Sequence, residues 1–105
     1  MLNMFTRSLG QRSRRIETQR VEAVLGQRLD RELLPQLLQI VLERGFPETP
    51  PVVRFTSAIF HPNVYPGGRV CIAMLNSWDP SYNIIELIKA IETLLWNPNL
   101  RSPAN

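Results

Sequence analysis

HPNVYPGGRVC, residues 61–71, contains the only histidine and the only cysteine of the 105-residue chain, with an asparagine between them. These side chains, His61, Asn63 and Cys71, are of the types that make up a cysteine-nucleophile site. They lie in or beside a long irregular segment, residues 57–70, which carries two prolines and two glycines. Loops of this length in a small domain are usually functional or disordered, and the residue types here favour function.

Each of these side chains has a structural explanation beside the chemical one. Cys71, between apolar neighbours, is either a small buried hydrophobe or an accessible nucleophile that reaches the thiolate form. His61 precedes Pro62, which fixes the backbone, so we expect its ring to hold the loop rather than to act as a base. Asn63 either caps a turn or donates its amide to an oxyanion. Gly67–Gly68 permits positive φ, so the chain can turn back and bring the thiol near Asn63.

Regular elements surround this loop. LLQIVLE at residues 37–43 and VVRF at 52–55 are typical of strands, and a proline-dense turn separates them. VCIAML at 70–75 suggests a brief extended piece. IIELIKAIETLLW at 84–96 predicts a helix, capped by Ser81 or Asn83. Its apolar residues fall on one face, marked by Ile84, Ile88, Ile91 and Leu95.

Residues 1–36 differ in composition from the rest. They hold seven arginines against four acidic residues, whereas residues 37–105 hold five basic and five acidic residues, so the net charge of +3 lies in the N-terminal third. Helical spacing predicts a helix, ended by Pro35, through Val21, Leu25, Leu29 and Leu33. We interpret residues 1–36 as a basic segment that is helical or partly disordered.

Composition excludes several classes of site. One cysteine excludes an intramolecular disulfide and suits a reducing compartment. A structural zinc site needs about four Cys or His ligands, and the chain has one of each. No apolar run approaches the roughly 20 residues that span a bilayer. The charge excess is small, so we predict no nucleic-acid partner, and likewise no membrane, metal or cofactor.

The order of motifs resembles the catalytic domain of ubiquitin-conjugating enzymes. FPETPPVVRF is followed by IFHPNVYPGGRVC, by a tryptophan with a proline two residues later, and by an apolar helix leading into NPNLRSPAN. In that family a His-Pro-Asn tripeptide follows a proline-rich turn, and a cysteine lies ten residues after the histidine, as Cys71 does after His61. FHPNVYPGGRVC is especially similar to SUMO-type members, and NSWDP and SPAN are compatible with bacterial relatives.

The resemblance covers residues 37–105 and implies an α+β fold. A partial antiparallel sheet would carry a long active-site loop and a packed helix, here with an N-terminal helix in front. Residues 37–105 would form an incomplete core of this type, because the family's first helix, first strand and closing helices have no match in the chain. We expect exposed apolar surface where those elements would pack.

The chemistry that the resemblance implies is conjugation of a ubiquitin-like modifier, so the chain would be an acyltransferase. Cys71 would accept the modifier's C-terminus as a thioester from an activating enzyme, in an ATP-dependent pathway, and a lysine amine of a protein substrate would then attack. Asn63 would stabilise the oxyanion or its loop, and His61 would be structural. Ser102 stands where many members carry an aspartate that helps orient or deprotonate the lysine. The implied location is the cytoplasm, with the nucleus as well in a eukaryote.

A ligase contact is also implied. Ubiquitin-type members often place an aromatic ligase contact in the proline-rich turn, where this chain has Glu48 after Pro47. We expect the loop that follows the cysteine to serve that contact. Its residues are Trp78, Asp79, Pro80 and Ser81.

Two alternatives stay open. One is a non-catalytic or truncated binding module without turnover, which the unmatched ends favour and the intact Cys71 and Asn63 do not. The other is a cysteine hydrolase. Its His61 ring would have to lie between the thiol and the Asn63 amide, and residues on either side of Pro62 do not readily give that geometry.

Overall fold

A computed structural model describes residues 2–8, 18–101 and 103–104, with side chains from residue 18 onward. Four strands form one antiparallel sheet in the order β1-β2-β3-β4, and two helices follow. The α+β architecture with an antiparallel sheet and a packed helix is therefore as predicted. The elements are β1 Leu2–Ser8, β2 Gln19–Leu29, β3 Glu32–Leu42, β4 Val52–Phe55, α1 Ala73–Asn76 and α2 Ile84–Trp96.

The predicted N-terminal helix through residues 21–33 is wrong. This segment forms β2 and the start of β3, joined by a tight turn in which Asp30 has φ 56°. A spacing of four residues fits a strand as well as a helix, because side chains two and four apart share a strand face. The alternation is visible in Val21, Ala23 and Leu25, which are all buried, whereas Leu33 lies 54% exposed.

Strand β3 starts earlier than predicted. It runs from Glu32 rather than residue 37 and includes Pro35, which lies opposite Gly26 in the register with β2. The strand crosses residue 36 without a break, and the division of the chain into two regions at that point stays a prediction. The other correction is at residues 73–76, where the expected extended piece forms the single-turn helix α1.

The helix predicted from periodicity over residues 84–96 is confirmed as α2. Asn83, not Ser81, is the N-cap, and its side-chain oxygen accepts a hydrogen bond from the Glu86 N–H at 3.1 Å. Burial of one helix face against the sheet holds α2 in place, at about 1.5–3 kcal/mol for each fully buried large aliphatic side chain. The buried residues of α2 are Leu87, Ile88, Ile91 and Leu95.

The hydrophobic core lies between α2 and one face of the sheet. Leu25 of β2, Ile40 of β3 and Val53 of β4 are almost completely buried there. Val64 and Val70, which pair with each other inside the irregular segment 57–70, belong to the same core. The core thus holds both sides of the turn at residues 65–69.

Candidate active site

A short hairpin brings the cysteine back to the asparagine. Val64 and Val70 form an antiparallel bridge, and the Cys71 N–H donates to the Asn63 carbonyl at 2.7 Å. The turn depends on glycine, since Gly68 has φ 97° and a Cβ there would collide with the Phe55 carbonyl oxygen. The chain therefore turns back at the two glycines, as predicted, and brings the backbone of Cys71 to that of Asn63.

Cys71 is partly exposed, with polar side chains around its sulfur. The Tyr65 phenol is hydrogen-bonded to this sulfur, and both that bond and the sulfur's charge raise the pKa of Tyr65 above its ordinary value. Tyrosinate would lose the hydrogen bond and face a like charge, which explains the direction. On α1, the Asn76 amide nitrogen lies 4.0 Å from Sγ. The thiol is therefore accessible to a reacting partner, as a nucleophile has to be.

His61 is buried, and its ring is bonded to backbone through both nitrogens. Nδ1 accepts the Asn63 N–H at 3.1 Å, which makes Nε2 the protonated nitrogen and the donor to the Leu94 carbonyl at 2.9 Å. Burial lowers the pKa of His61 below its ordinary value, because the charged ring would lose its hydration. The ring thus connects the loop to α2. Both of its nitrogens are bonded to backbone, so neither bridges the thiol and the Asn63 amide as a hydrolase would require.

Asn63 is completely buried, and its side chain bonds the segment that follows α2. Its Oδ1 accepts the Asn99 N–H at 2.8 Å, and its Nδ2 donates to the Asn99 carbonyl at 2.8 Å. The amide pairs with this backbone as one strand residue pairs with another. Of the two roles that the sequence leaves open for Asn63, holding the loop is the one with visible bonds.

The two segments predicted to bind a partner lie together. The Trp78 indole N–H donates to the Pro47 carbonyl at 2.7 Å, and the Trp78 ring packs 6.1 Å from Phe46 and 5.4 Å from Tyr82, measured between centroids. Trp78 therefore joins the proline-rich turn to the loop after the cysteine.

Exposed residues surround the aromatic cluster of Phe46, Trp78 and Tyr82. They are the remaining residues predicted for partner contact: Pro47, Glu48, Asp79, Pro80 and Ser81. Asp79 accepts the Ser81 N–H at 2.8 Å, and its bonds to Ser81 lower the pKa of Asp79. Ser102 lies outside the described residues.

Sequence reasoning missed Tyr65 and Asn76. Tyr65 has no local signal, because its place beside the sulfur depends on the hairpin between Val64 and Val70. Asn76 has none either, because its approach to the sulfur depends on the helical turn at residues 73–76. Both side chains also line a cavity of about 350 Å³, together with Arg69, Pro50 and Pro51.

In the described part of the chain, no three His, Cys, Asp or Glu side chains are grouped as a metal site would require. Among the same residues, no helix has the length and apolar character needed to cross a membrane.

The chain is similar to known proteins in both sequence and fold. The family model described as ubiquitin-conjugating enzyme matches residues 37–105. Ubiquitin-conjugating enzyme E2 3 of Arabidopsis thaliana is 46% identical over 69 residues, which are 65% of this chain and 46% of that protein. Ubiquitin-conjugating enzyme E2 2 of Mycosarcoma maydis is 42% identical over 69 residues, covering 65% of this chain and 37% of that protein.

A solved structure extends the likeness of fold beyond the matched sequence. The structure of S. cerevisiae Ubc12 has a TM-score of 0.80 and 22% identity over 97% of this chain and 56% of that chain. The chain spans less than half the length of either curated relative. With the family model covering everything from the start of the predicted core to residue 105, the chain belongs to the ubiquitin-conjugating enzyme family.

Proposed function

We propose that this chain carries a ubiquitin-like modifier as a thioester on Cys71 and transfers it to a lysine amine. The observation that supports this most strongly is the Cys71 thiol, which is partly exposed and hydrogen-bonded to the Tyr65 phenol. The hairpin bond from the Cys71 N–H to the Asn63 carbonyl fixes the backbone beneath that sulfur. Such a thiol is suited to accept and release an acyl group.

The reaction consists of two acyl transfers. In the first, the Cys71 thiolate attacks the modifier's C-terminal carbonyl carbon, held as a thioester on an activating enzyme. A new C–S bond forms, and the old one breaks with release of the activating enzyme's thiolate. In the second, a lysine amine attacks the same carbon, a C–N bond forms, the bond to Cys71 breaks, and the amine loses a proton to solvent.

This chemistry places small demands on a resident base. A thiolate is a good leaving group and a neutral amine a good nucleophile, so positioning and stabilisation of the developing oxyanion matter most. His61, with both ring nitrogens bonded to backbone, positions the loop instead of transferring protons. Asn63 supports the same loop through Asn99. Ser102, by its place in the sequence, is proposed for the lysine side of the site.

The partners follow from the same scheme. An activating enzyme supplies the modifier in an ATP-dependent pathway, and the modifier is ubiquitin or a SUMO-like relative. The rim around Trp78, with Pro47 and Glu48 on one side and Pro80 on the other, is proposed as the ligase contact. Tryptophan and tyrosine are enriched among the residues that contribute most to binding at protein interfaces. The proposed location is the cytoplasm, or the nucleus as well in a eukaryote.

A second candidate is a binding module of the same fold without turnover. Its support is the exposed apolar surface, since Phe60 is 94% exposed and Leu100 is 73% exposed. Large apolar side chains in such positions usually mark a surface that packs against another element or a partner.

A charging assay separates the two candidates. The protein is incubated with ATP, an activating enzyme and a panel of ubiquitin-like modifiers, and the products are separated with and without a thiol reductant. We expect a thiol-sensitive adduct for the wild type, a thiol-resistant oxyester for Cys71→Ser, and no adduct for Cys71→Ala. A wild-type protein that binds a modifier without forming any adduct would support the binding module instead.

A further inference from the structure

The sulfur of Cys71 has a polar side chain on either side. The Tyr65 phenol is hydrogen-bonded to it, and Asn76 points its amide nitrogen at it from a distance of 4.0 Å. Both side chains also line the cavity of about 350 Å³. A phenol and a primary amide therefore lie close to the sulfur from which an acyl group would extend.

Asn76 is held in this place by its backbone. The Ile72 carbonyl accepts the N–H of Asn76 at 3.0 Å, and the Ala73 carbonyl accepts the N–H of Ser77 at 2.8 Å. These bonds form the single turn of α1, and they set the Asn76 Cα a fixed distance beyond Cys71. The side chain itself is exposed, so it can reorient toward a group bound at the sulfur.

The distance of 4.0 Å is long for a strong bond to the sulfur itself. In a thioester, the carbonyl carbon is bonded to Sγ and the carbonyl oxygen lies one bond further out. An amide nitrogen 4.0 Å from the sulfur, on an exposed side chain that can reorient, is within reach of that oxygen. Effective oxyanion donors lie about 2.7–3.1 Å from the oxygen they stabilise.

We propose that Asn76 is a catalytic residue that donates its side-chain N–H to the thioester carbonyl oxygen. When the lysine nitrogen attacks, the C–N bond forms and the carbonyl electron pair moves to oxygen, where the Asn76 amide stabilises the negative charge. The pair then returns as the C–S bond breaks, Cys71 departs as thiolate, and the amine proton passes to solvent. This inference rests on the proposed thioester function.

The test is single-turnover discharge of preformed thioester to free lysine. Asn76→Ala is expected to slow discharge about 10-fold at saturating lysine, less than the ~10²–10³-fold effect of a buried oxyanion donor, because water can replace an exposed one. The lysine concentration for half-maximal rate is expected to stay unchanged. Asn76→Gln, which keeps an amide on a longer stem, is expected to recover part of the rate, and the neighbouring Ser77→Ala to match the wild type.

The outcomes are distinct. Discharge by Asn76→Ala within about twofold of the wild type, from a thioester that forms normally, overturns the role of Asn76 and leaves the proposed function standing. An equal loss in Asn76→Ala, Asn76→Gln and Ser77→Ala also overturns it, because the cause would then be a disturbed α1. If the wild type forms no thioester, the proposed function fails, and this inference fails with it.

Discussion

Replacement of Asn63 by alanine tests whether its buried amide holds the loop. The change removes two hydrogen bonds, each 2.8 Å long, to the Asn99 backbone. Each bond contributes about 1 kcal/mol, and the partly buried Asn99 groups that lose their partner cost a further ~1 kcal/mol. We therefore expect the free energy of unfolding to fall by about 3 kcal/mol. A domain of this size has a total unfolding free energy of only about 5–15 kcal/mol, so the loss is large.

Urea denaturation followed by tryptophan fluorescence measures this loss. With a slope of about 2 kcal/mol per M, the midpoint should fall by about 1.5 M. Asn63→Asp should be nearly as damaging, because its carboxylate can accept from the Asn99 N–H but repels the Asn99 carbonyl. The control is Asn83→Ala, which removes one exposed N-cap bond and should cost only about 1 kcal/mol. If Asn63→Ala loses no more stability than Asn83→Ala, the Asn63 amide does not hold the loop against the Asn99 backbone, and the reasoning is refuted.

Two further predictions concern the same loop. Gly68→Ala should lower the free energy of unfolding by at least about 2 kcal/mol, because Gly68 has φ 97° and a Cβ would meet the Phe55 carbonyl. The control Gly67→Ala, at an exposed position, should lower it by less. Equal urea midpoints for the two variants would contradict this prediction. Burial lowers the pKa of His61, so the folded state favours the neutral ring. The contribution of His61 to the free energy of unfolding should therefore be complete above pH ~6.5 and should decline as the pH falls through the folded-state pKa. His61→Gln should therefore be less stable at pH 7.5 but should lose less stability than the wild type between pH 7.5 and 5.5, and parallel losses in both proteins would show that His61 does not cause the pH dependence.

Some elements were predictable because their periodicity admits one interpretation. In α2, Ile84, Ile88, Ile91 and Leu95 recur at spacings of three and four that a strand would scatter over both faces, so only a helix satisfies them. The hairpin that returns Cys71 to Asn63 was predictable for a similar reason, because adjacent glycines supply the positive φ that the turn requires.

Other features were beyond local pattern. Residues 21–33 have apolar side chains four apart, a spacing that fits both a helix and a strand. Only the pairing of β2 with β3 makes this segment extended. The bond between Asn63 and Asn99 spans 36 residues, and that between Trp78 and Pro47 spans 31, so neither has a local signature. The place of Asn76 beside the sulfur likewise follows from α1, which is too short to show a period.

The central claim is that Cys71 carries the modifier, and mass spectrometry of the charged protein tests it most directly. The intact mass should rise by that of one modifier less one water, return to the starting value on treatment with a thiol, and block alkylation at Cys71 while the adduct persists. Adduct formation that survives thiol treatment, or that leaves Cys71 open to alkylation in the charged protein, would contradict the account.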